Sequence, residues 1–291
     1  MSCLEVLATG PLSTIQDLGR PGLANIGVGP SGAADTGAFR LANRLVGNDE
    51  GAAAVEVTLG GLAVRAHRDL TVAVTGAPCP ITVDGRAEPT NAVLRIPAGT
   101  ELRLGVPPRG LRSYLAVRGG IAVEPVLGSR ATDVLAGLGP DPLAPGALLP
   151  VGPAPARFPL VDVAPVAPCP DDEIVLRVEP GPRHDWFAES ALTTLVSCPY
   201  EVTAESNRIG MRLDGPALER SRTEELPSEG MVAGALQVPP AARPTLFLAD
   251  HPVTGGYPVI AVVTAADLDK AAQARPGQRI RFRFTRRSAA R

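Results

Sequence analysis

Apolar residues in this chain recur mostly with a period of two, in short runs. "EIVLRVEPG" from Glu173 alternates cleanly, and "QRIRFRFTR" places Ile280, Phe282 and Phe284 on one face and arginines on the other. "TVAVTGAPCPITVDGRAEP" holds two strand-like runs, with an Asp84-Gly85 turn after Ile81 to Val83. "ELRLGV" and "SYLAVRGG" add further strands. Helical spacing is rarer. "DTGAFRLANRLVGN" aligns Ala38, Leu41, Ala42 and Leu45 and stops at Gly47-Asn48. "TAADLDKAAQARPG" opens with Thr264 three residues before Asp267, the spacing of a capping box, and "HDWFAESALTTLVS" is a third helix candidate. Pro and Gly crowd residues 137–170, which suggests a subdomain boundary there, between 1–150 and 151–291. Many short strands joined by Gly/Pro turns predict a mainly β protein with minor α, built as barrels or barrel-like sandwiches.

Composition narrows the function classes. The 291 residues are 45% hydrophobic but only 3% aromatic, so Val, Leu, Ile and Ala must fill the interior. There are 31 Gly and 31 Pro, where average usage gives roughly 20 and 15, so long helices are disfavoured. A net charge of −2 argues against nucleic acid or an anionic membrane as partner. No apolar run reaches the roughly 18 residues of a membrane span. "MSCLEVLATG" has no basic leader region, so a cytoplasmic location is expected. Cys3, Cys79, Cys169 and Cys198 are widely separated and form no C-x-x-C pair, so no structural metal site is expected. Lys270 is the sole lysine. "DLDKAA" is neither a phosphate-binding G-K-[ST] motif nor a context for covalently carried biotin. If ATP or biotin is handled, a partner chain contributes part of the machinery.

Two segments concentrate chemistry. "GVGPSG", Gly27 to Gly32, satisfies G-x-G-x-x-G, but no apolar strand precedes it and Pro30 lacks an N–H, so a dinucleotide site is rejected. Around it, Gln16, Asp17, Arg20, Ser31 and Asp35 offer polar groups, and Asp35 also suits a helix N-cap. The second segment, "FLADHPVTGGYPVIAVV", inserts Asp250, His251, Thr254, Gly255, Gly256 and Tyr257 between two apolar runs. Such a turn is either a polar site or an ordinary bulge and strand start.

"QDLGRPG", "GVGPSGAAD", "AAAVEVTLGG", "AVRGGI", "LGSRATDVLAGLG", "SNRIGMRLDGP", "SEGMVAGALQVPP" and "TGGYPVIAVV", in this order, resemble the biotin-dependent carboxyltransferase family, whose members include the C subunit of 5-oxoprolinase and allophanate hydrolase subunit 2. The resemblance runs from about Leu4 to Phe284. It implies two cyclophilin-like β-barrel subdomains: an N-terminal one at 1–150 and a C-terminal one at 151–291. It also implies that the segments converge on one small-molecule site. There Asp250 or His251 would transfer a proton and Gln237 would orient an amide. Arg208 would hold a carboxylate or phosphoryl group. Ser31, Asp35, Asn207, Ser228, Thr254, Gly255, Gly256 and Tyr257 would complete substrate binding, with no metal. The activity implied is that of the C subunit of an ATP-dependent 5-oxoprolinase, opening 5-oxo-L-proline to L-glutamate with the A and B subunits. ATP would be shared with the B-like partner. The chain's size favours this over a whole urea carboxylase. The alternatives are a carboxyltransferase component working with a separate biotin carrier, and a regulatory antagonist of a histidine-kinase inhibitor.

Overall fold

The structure, a computed structural model, describes residues 3–159 and 161–285. The chain forms two compact units: Met1–Gly22 with Pro30–Cys169, and Leu23–Gly29 with Pro170–Arg291. The boundary expected between 150 and 151 therefore falls inside the first unit. Val151–Cys169 stays with that unit because it is stitched to it: Val93 N donates to Asp162 O and Ala164 N to Asn91 O, each at 2.8 Å.

In the first unit the strands are β1 (Cys3–Thr9), β2 (Leu12–Gln16), β3 (Ala54–Thr58), β4 (Leu62–Ala66), β5 (Leu70–Gly76), β6 (Ile81–Val83), β7 (Arg86–Glu88), β8 (Val93–Ile96), β9 (Glu101–Leu104), β10 (Arg112–Val117) and β11 (Leu148–Pro150). They form a six-stranded sheet, β11-β1-β4-β9-β6-β7, and a five-stranded sheet, β2-β3-β10-β5-β8. Val6, Val64 and Leu102 of one sheet and Val57, Val72 and Leu115 of the other share one core. The unit is thus a sandwich of two sheets rather than a closed barrel. The other face of the five-stranded sheet buries Ala73, Tyr114 and Ala116 under Phe39, Ala42 and Leu45 of helix α1 (Thr36–Leu45). With both faces covered, every residue of β10 is buried, the polar Arg112 and Ser113 included. The Asp84-Gly85 turn joins β6 to β7 with φ of 46° and 79°, as a two-residue hairpin requires.

The second unit is a closed barrel. Its strands are β12 (Glu173–Pro180), β13 (Pro199–Val202), β14 (Gly210–Asp214), β16 (Ala235–Gln237), β17 (Thr245–Phe247), β19 (Val259–Val263) and β20 (Arg279–Phe284). They close in the order β12-β19-β16-β17-β14-β13-β20. A parallel β12/β20 ladder from Glu173↔Arg279 to Val178↔Phe284 completes the ring. β15 (Glu229–Gly230) and β18 (Thr254–Gly255) form a separate two-stranded sheet. Leu176, Met211, Leu213, Leu236, Leu246, Ile280 and Phe282 fill the interior, joined by Ala191 and Leu195 of α2 (Glu189–Ser197) and Ala271 of α3 (Ala265–Ala272). Phe284 departs from its expected buried face and is exposed at the end of β20.

The capping box expected at α3 does not form. Thr264 occupies the N-cap position without a side-chain cap bond. Asp267 turns away to accept Arg177 N, Nε and Nη2 at 2.8, 2.8 and 2.9 Å and Lys270 Nζ at 2.7 Å. A carboxylate that gains two cations and a backbone N–H has no reason to reach back to its own helix start. Chiefly through Arg177, these bonds hold the Asp267 carboxyl well below the usual carboxylate range. No helix among the described residues is long and apolar enough to cross a membrane.

Candidate functional site

The site in the second unit begins with the turn before β14. Asn207 Oδ1 accepts from Ile209 N at 2.8 Å and Gly210 N at 3.2 Å, folding the chain on itself. This turn sends Arg208 inward. Its Nε and Nη2 each donate at 2.9 Å to the two carboxylate oxygens of Asp250, and Asp250 N bonds Arg208 O at 3.0 Å. With side chains 1% and 0% exposed, the pair ties two segments together as a buried fork. Arg208 and Asp250, expected to hold a substrate anion and to move a proton, are thus each other's partner. His251 is also buried, with Nδ1 2.8 Å from Pro252 O. A carbonyl only accepts, so Nδ1 carries a hydrogen and donates it to Pro252 O. The imidazole packs 6.5 Å from the Phe247 ring, centroid to centroid. Gly29 lies against the His251 carbonyl, where an added Cβ would stand 3.3 Å from that oxygen.

Beyond the turn the strand alternates. Met211 and Leu213 enter the barrel, and Arg212 points outward. A cleft of about 640 Å³ lies on this outer side, lined by Thr203, Asn207, Gln237, Thr245, Phe247 and Tyr257, with Glu205, Arg212, Asp214 and Arg243 among its charged residues. Its volume suits a small ligand. Gln237 sits on its buried side, 8% exposed, with Nε2 donating to Tyr257 O at 3.2 Å. The β15/β18 sheet covers this amide. Glu229 pairs with Gly255, and a Cβ on Gly255 would lie 2.6 Å from Gln237 Nε2, so glycine is what lets the amide pack there. Arg183 anchors that sheet by donating to both carboxylate oxygens of Glu229, which pushes the Glu229 carboxyl below its ordinary range. The Arg220 guanidinium lies 5.8 Å over the Tyr257 ring and donates to Val238 O, and burial lowers its pKa.

Of the residues expected in one site, the cleft gathers Asn207, Gln237 and Tyr257. Arg208, Asp250 and His251 form the packed support described above. Ser228 and Thr254 are exposed and Gly255 and Gly256 half-buried; none of the four lines the cleft. Ser31 and Asp35 belong to the first unit. Ser31 Oγ donates to Thr132 O at 3.2 Å. Asp35 caps α1, accepting from Ala38 N at 2.9 Å, while its own N–H donates to the Tyr114 hydroxyl at 2.8 Å. Burial, together with Glu56 and Asp35, drives that phenol well above its usual pKa. Thr203, Thr245, Phe247, Glu205 and Arg243 line the cleft without having been singled out in the sequence. Arg212, supplied to the expected site by the motif "SNRIGMRLDGP", lines the cleft as well, and the alternation of "GMRLD" turns it away from the core.

The glycine-rich loop and the residues after it spend several backbone N–H groups within the fold. Gly27 N and Val28 N are spent on Ala24 O and Leu23 O, Ala33 N on Asp17 O, and Ala34 N on Glu56 Oε2. Lys270 is held by Asp267. Among the described residues, no group of three His, Cys, Asp or Glu is placed to hold a metal ion.

Comparison with known proteins agrees with this architecture. Residues 26–284 match the family described as carboxyltransferase domain, subdomain A and B. The chain is 38% identical to the 5-oxoprolinase C subunit of Escherichia coli strain K12, over 96% of this chain and 90% of that protein. The crystal structure of TTHA0988 superposes with a TM-score of 0.88 at 36% identity, covering 97% of this chain and 55% of that one. This chain therefore spans about half the length of that solved relative. The Kluyveromyces lactis urea amidolyase structure gives a TM-score of 0.90 at 31% identity, over 96% of this chain and 18% of that one. The chain belongs to the carboxyltransferase domain family, subdomains A and B, and is a homologue of the C subunit of 5-oxoprolinase.

Proposed function

We propose that this protein is the C subunit of an ATP-dependent 5-oxoprolinase and opens 5-oxo-L-proline to L-glutamate together with a B-like partner and an A subunit. The observation that carries the reading is the 38% identity to the C subunit of a 5-oxoprolinase, along nearly the full length of both chains. A cleft with a positioned amide, Gln237, suits a cyclic amide substrate. In the reaction, water adds to the lactam carbon, the C–N bond breaks and the freed nitrogen takes up a proton. ATP makes a stable lactam easier to attack, and the chain carries no G-K-[ST] phosphate-binding motif, so the reading has ATP shared with the partner. The chain's own contribution is to orient the lactam against Gln237, whose amide the β15/β18 sheet holds in place. His251, behind Phe247, is the nearby group able to relay a proton. Complex formation in the cytoplasm, without covalent biotin on this chain, completes the proposal.

A second reading, transfer of a carboxyl group from a biotin carrier to a urea-like amide, is supported by the family description and by the likeness to urea amidolyase. The test is reconstitution of the three subunits and omission of each in turn. Glutamate formation from 5-oxo-L-proline should need ATP and all three subunits, and should resist avidin, which sequesters biotin. Turnover by this chain alone, or avidin-sensitive turnover of urea, would overturn the oxoprolinase reading.

A further inference from the structure

The cleft carries more than an amide. Gln237 faces Thr245 across the β16/β17 ladder, and Thr245 faces Arg212 across the β17/β14 ladder. Residues directly opposite each other in antiparallel strands project from the same face of the sheet. Their neighbours Leu236, Leu246, Met211 and Leu213 are buried in the barrel, so Gln237, Thr245 and Arg212 form one row across its outer wall, and all three line the cleft. With strands spaced at about 4.8 Å, the ends of that row lie roughly 10 Å apart. An amide therefore stands at one end and a guanidinium at the other, with a small hydroxyl side chain between them. The guanidinium is not locked: Arg212 Nη1 donates to Glu205 Oε2 at 2.6 Å, but the two side chains are 63% and 70% exposed. An ion pair that open to water is held weakly and exchanges readily.

We propose that this row is a two-ended receptor for a small amide that also bears a carboxylate. Arg212 takes the carboxylate, Gln237 takes the amide, and Glu205 is a built-in competitor that occupies Arg212 until the ligand displaces it. The inference rests on the oxoprolinase reading for the identity of the ligand, and it names the specificity element that would separate 5-oxo-L-proline from neutral amides such as urea. It also gives the two partners of one ion pair opposite effects on binding.

The test measures 5-oxo-L-proline and its neutral carboxamide, 5-oxoprolinamide, by calorimetric titration of the assembled complex, with KM for glutamate formation alongside. Arg212→Gln should weaken binding of the carboxylate about tenfold, the loss expected when one charge-assisted contact disappears. Glu205→Gln should tighten it about two- to threefold by removing the competitor. The carboxamide should bind more weakly than the carboxylate to the unsubstituted complex and respond to neither change. Equal affinities for the two compounds, no binding of either, or shifts of the same sign in both variants would overturn the receptor. Absence of glutamate formation by the unsubstituted complex would instead overturn the oxoprolinase reading, while the opposite-signed binding shifts would still decide on the receptor.

Discussion

Arg208 and Arg212 lie on one short stretch of chain, and each pairs with a carboxylate, yet the two pairs do different work. Arg208 is 1% exposed and grips both oxygens of Asp250. Arg212 is 63% exposed and holds one oxygen of Glu205. In the interior, removing one partner strands a charge without water, so the buried fork ties its two segments together and breaking it is costly. At the surface the same attraction is nearly cancelled by solvent, so the exposed pair contributes little to the fold and is available to a ligand. Solvent access, more than residue type, separates an anchor from a recognition group here.

The largest expected effect breaks the anchor. Asp250→Ala should lose about 3–5 kcal/mol of unfolding free energy in denaturant titration, because Arg208 is left buried without its carboxylate. Next comes Asp267, whose carboxylate gathers Arg177, Lys270 and a backbone N–H. Asp267→Asn should cost about 2 kcal/mol, on the scale of hydrogen bonds to a charged group. Its pH dependence has a definite sign. The folded carboxyl is depressed, so its contribution is complete above the unfolded value of about 3.9 and fades as pH falls below it. The stability gap between this protein and Asp267→Asn should accordingly narrow from pH 6 to pH 2. Gly255→Ala should displace the Gln237 amide, since the new methyl would stand 2.6 Å from Nε2, and raise KM with a small change in melting temperature. The smallest stability effect belongs to Arg212→Gln, within about 0.5 kcal/mol of the unsubstituted protein, as for an ordinary surface position. A loss comparable to that of Asp250→Ala would erase the contrast between the two pairs.

The fold was legible where local pattern and burial agree. "EIVLRVEPG" and "QRIRFRFTR" became adjacent barrel strands, and Asp84-Gly85 became the hairpin turn. Phe284 was misleading because alternation says which way a side chain points, not where the barrel ends. Thr264 and Asp267 had capping-box spacing, but Arg177, distant in sequence, captured the carboxylate. The closed ring of the second unit and the open sandwich of the first could not be told apart from strands alone, since closure depends on which edges pair. The site divides in the same way. Gln237, Asn207 and Tyr257 were found through motifs and do line the cleft. Asp250 and Arg208 had suitable chemistry; they pair with each other in the interior, and neither lines the cleft. Thr245 and Phe247 sit in an ordinary apolar strand, and only the cross-strand register reveals them as cleft residues.

The central claim is that Gln237 serves the cleft's chemistry rather than the barrel's packing. Gln237→Met keeps the side chain's length and removes its amide, at the cost of about 1 kcal/mol for the hydrogen bond to Tyr257 O. Glutamate formation and melting temperature should be measured on the same preparation of the assembled complex. The expected result is a loss of turnover of about 10²-fold, as for a misplaced substrate, with a melting temperature lowered by only a few degrees. Unchanged turnover per folded molecule would contradict the claim and return Gln237 to a purely structural role.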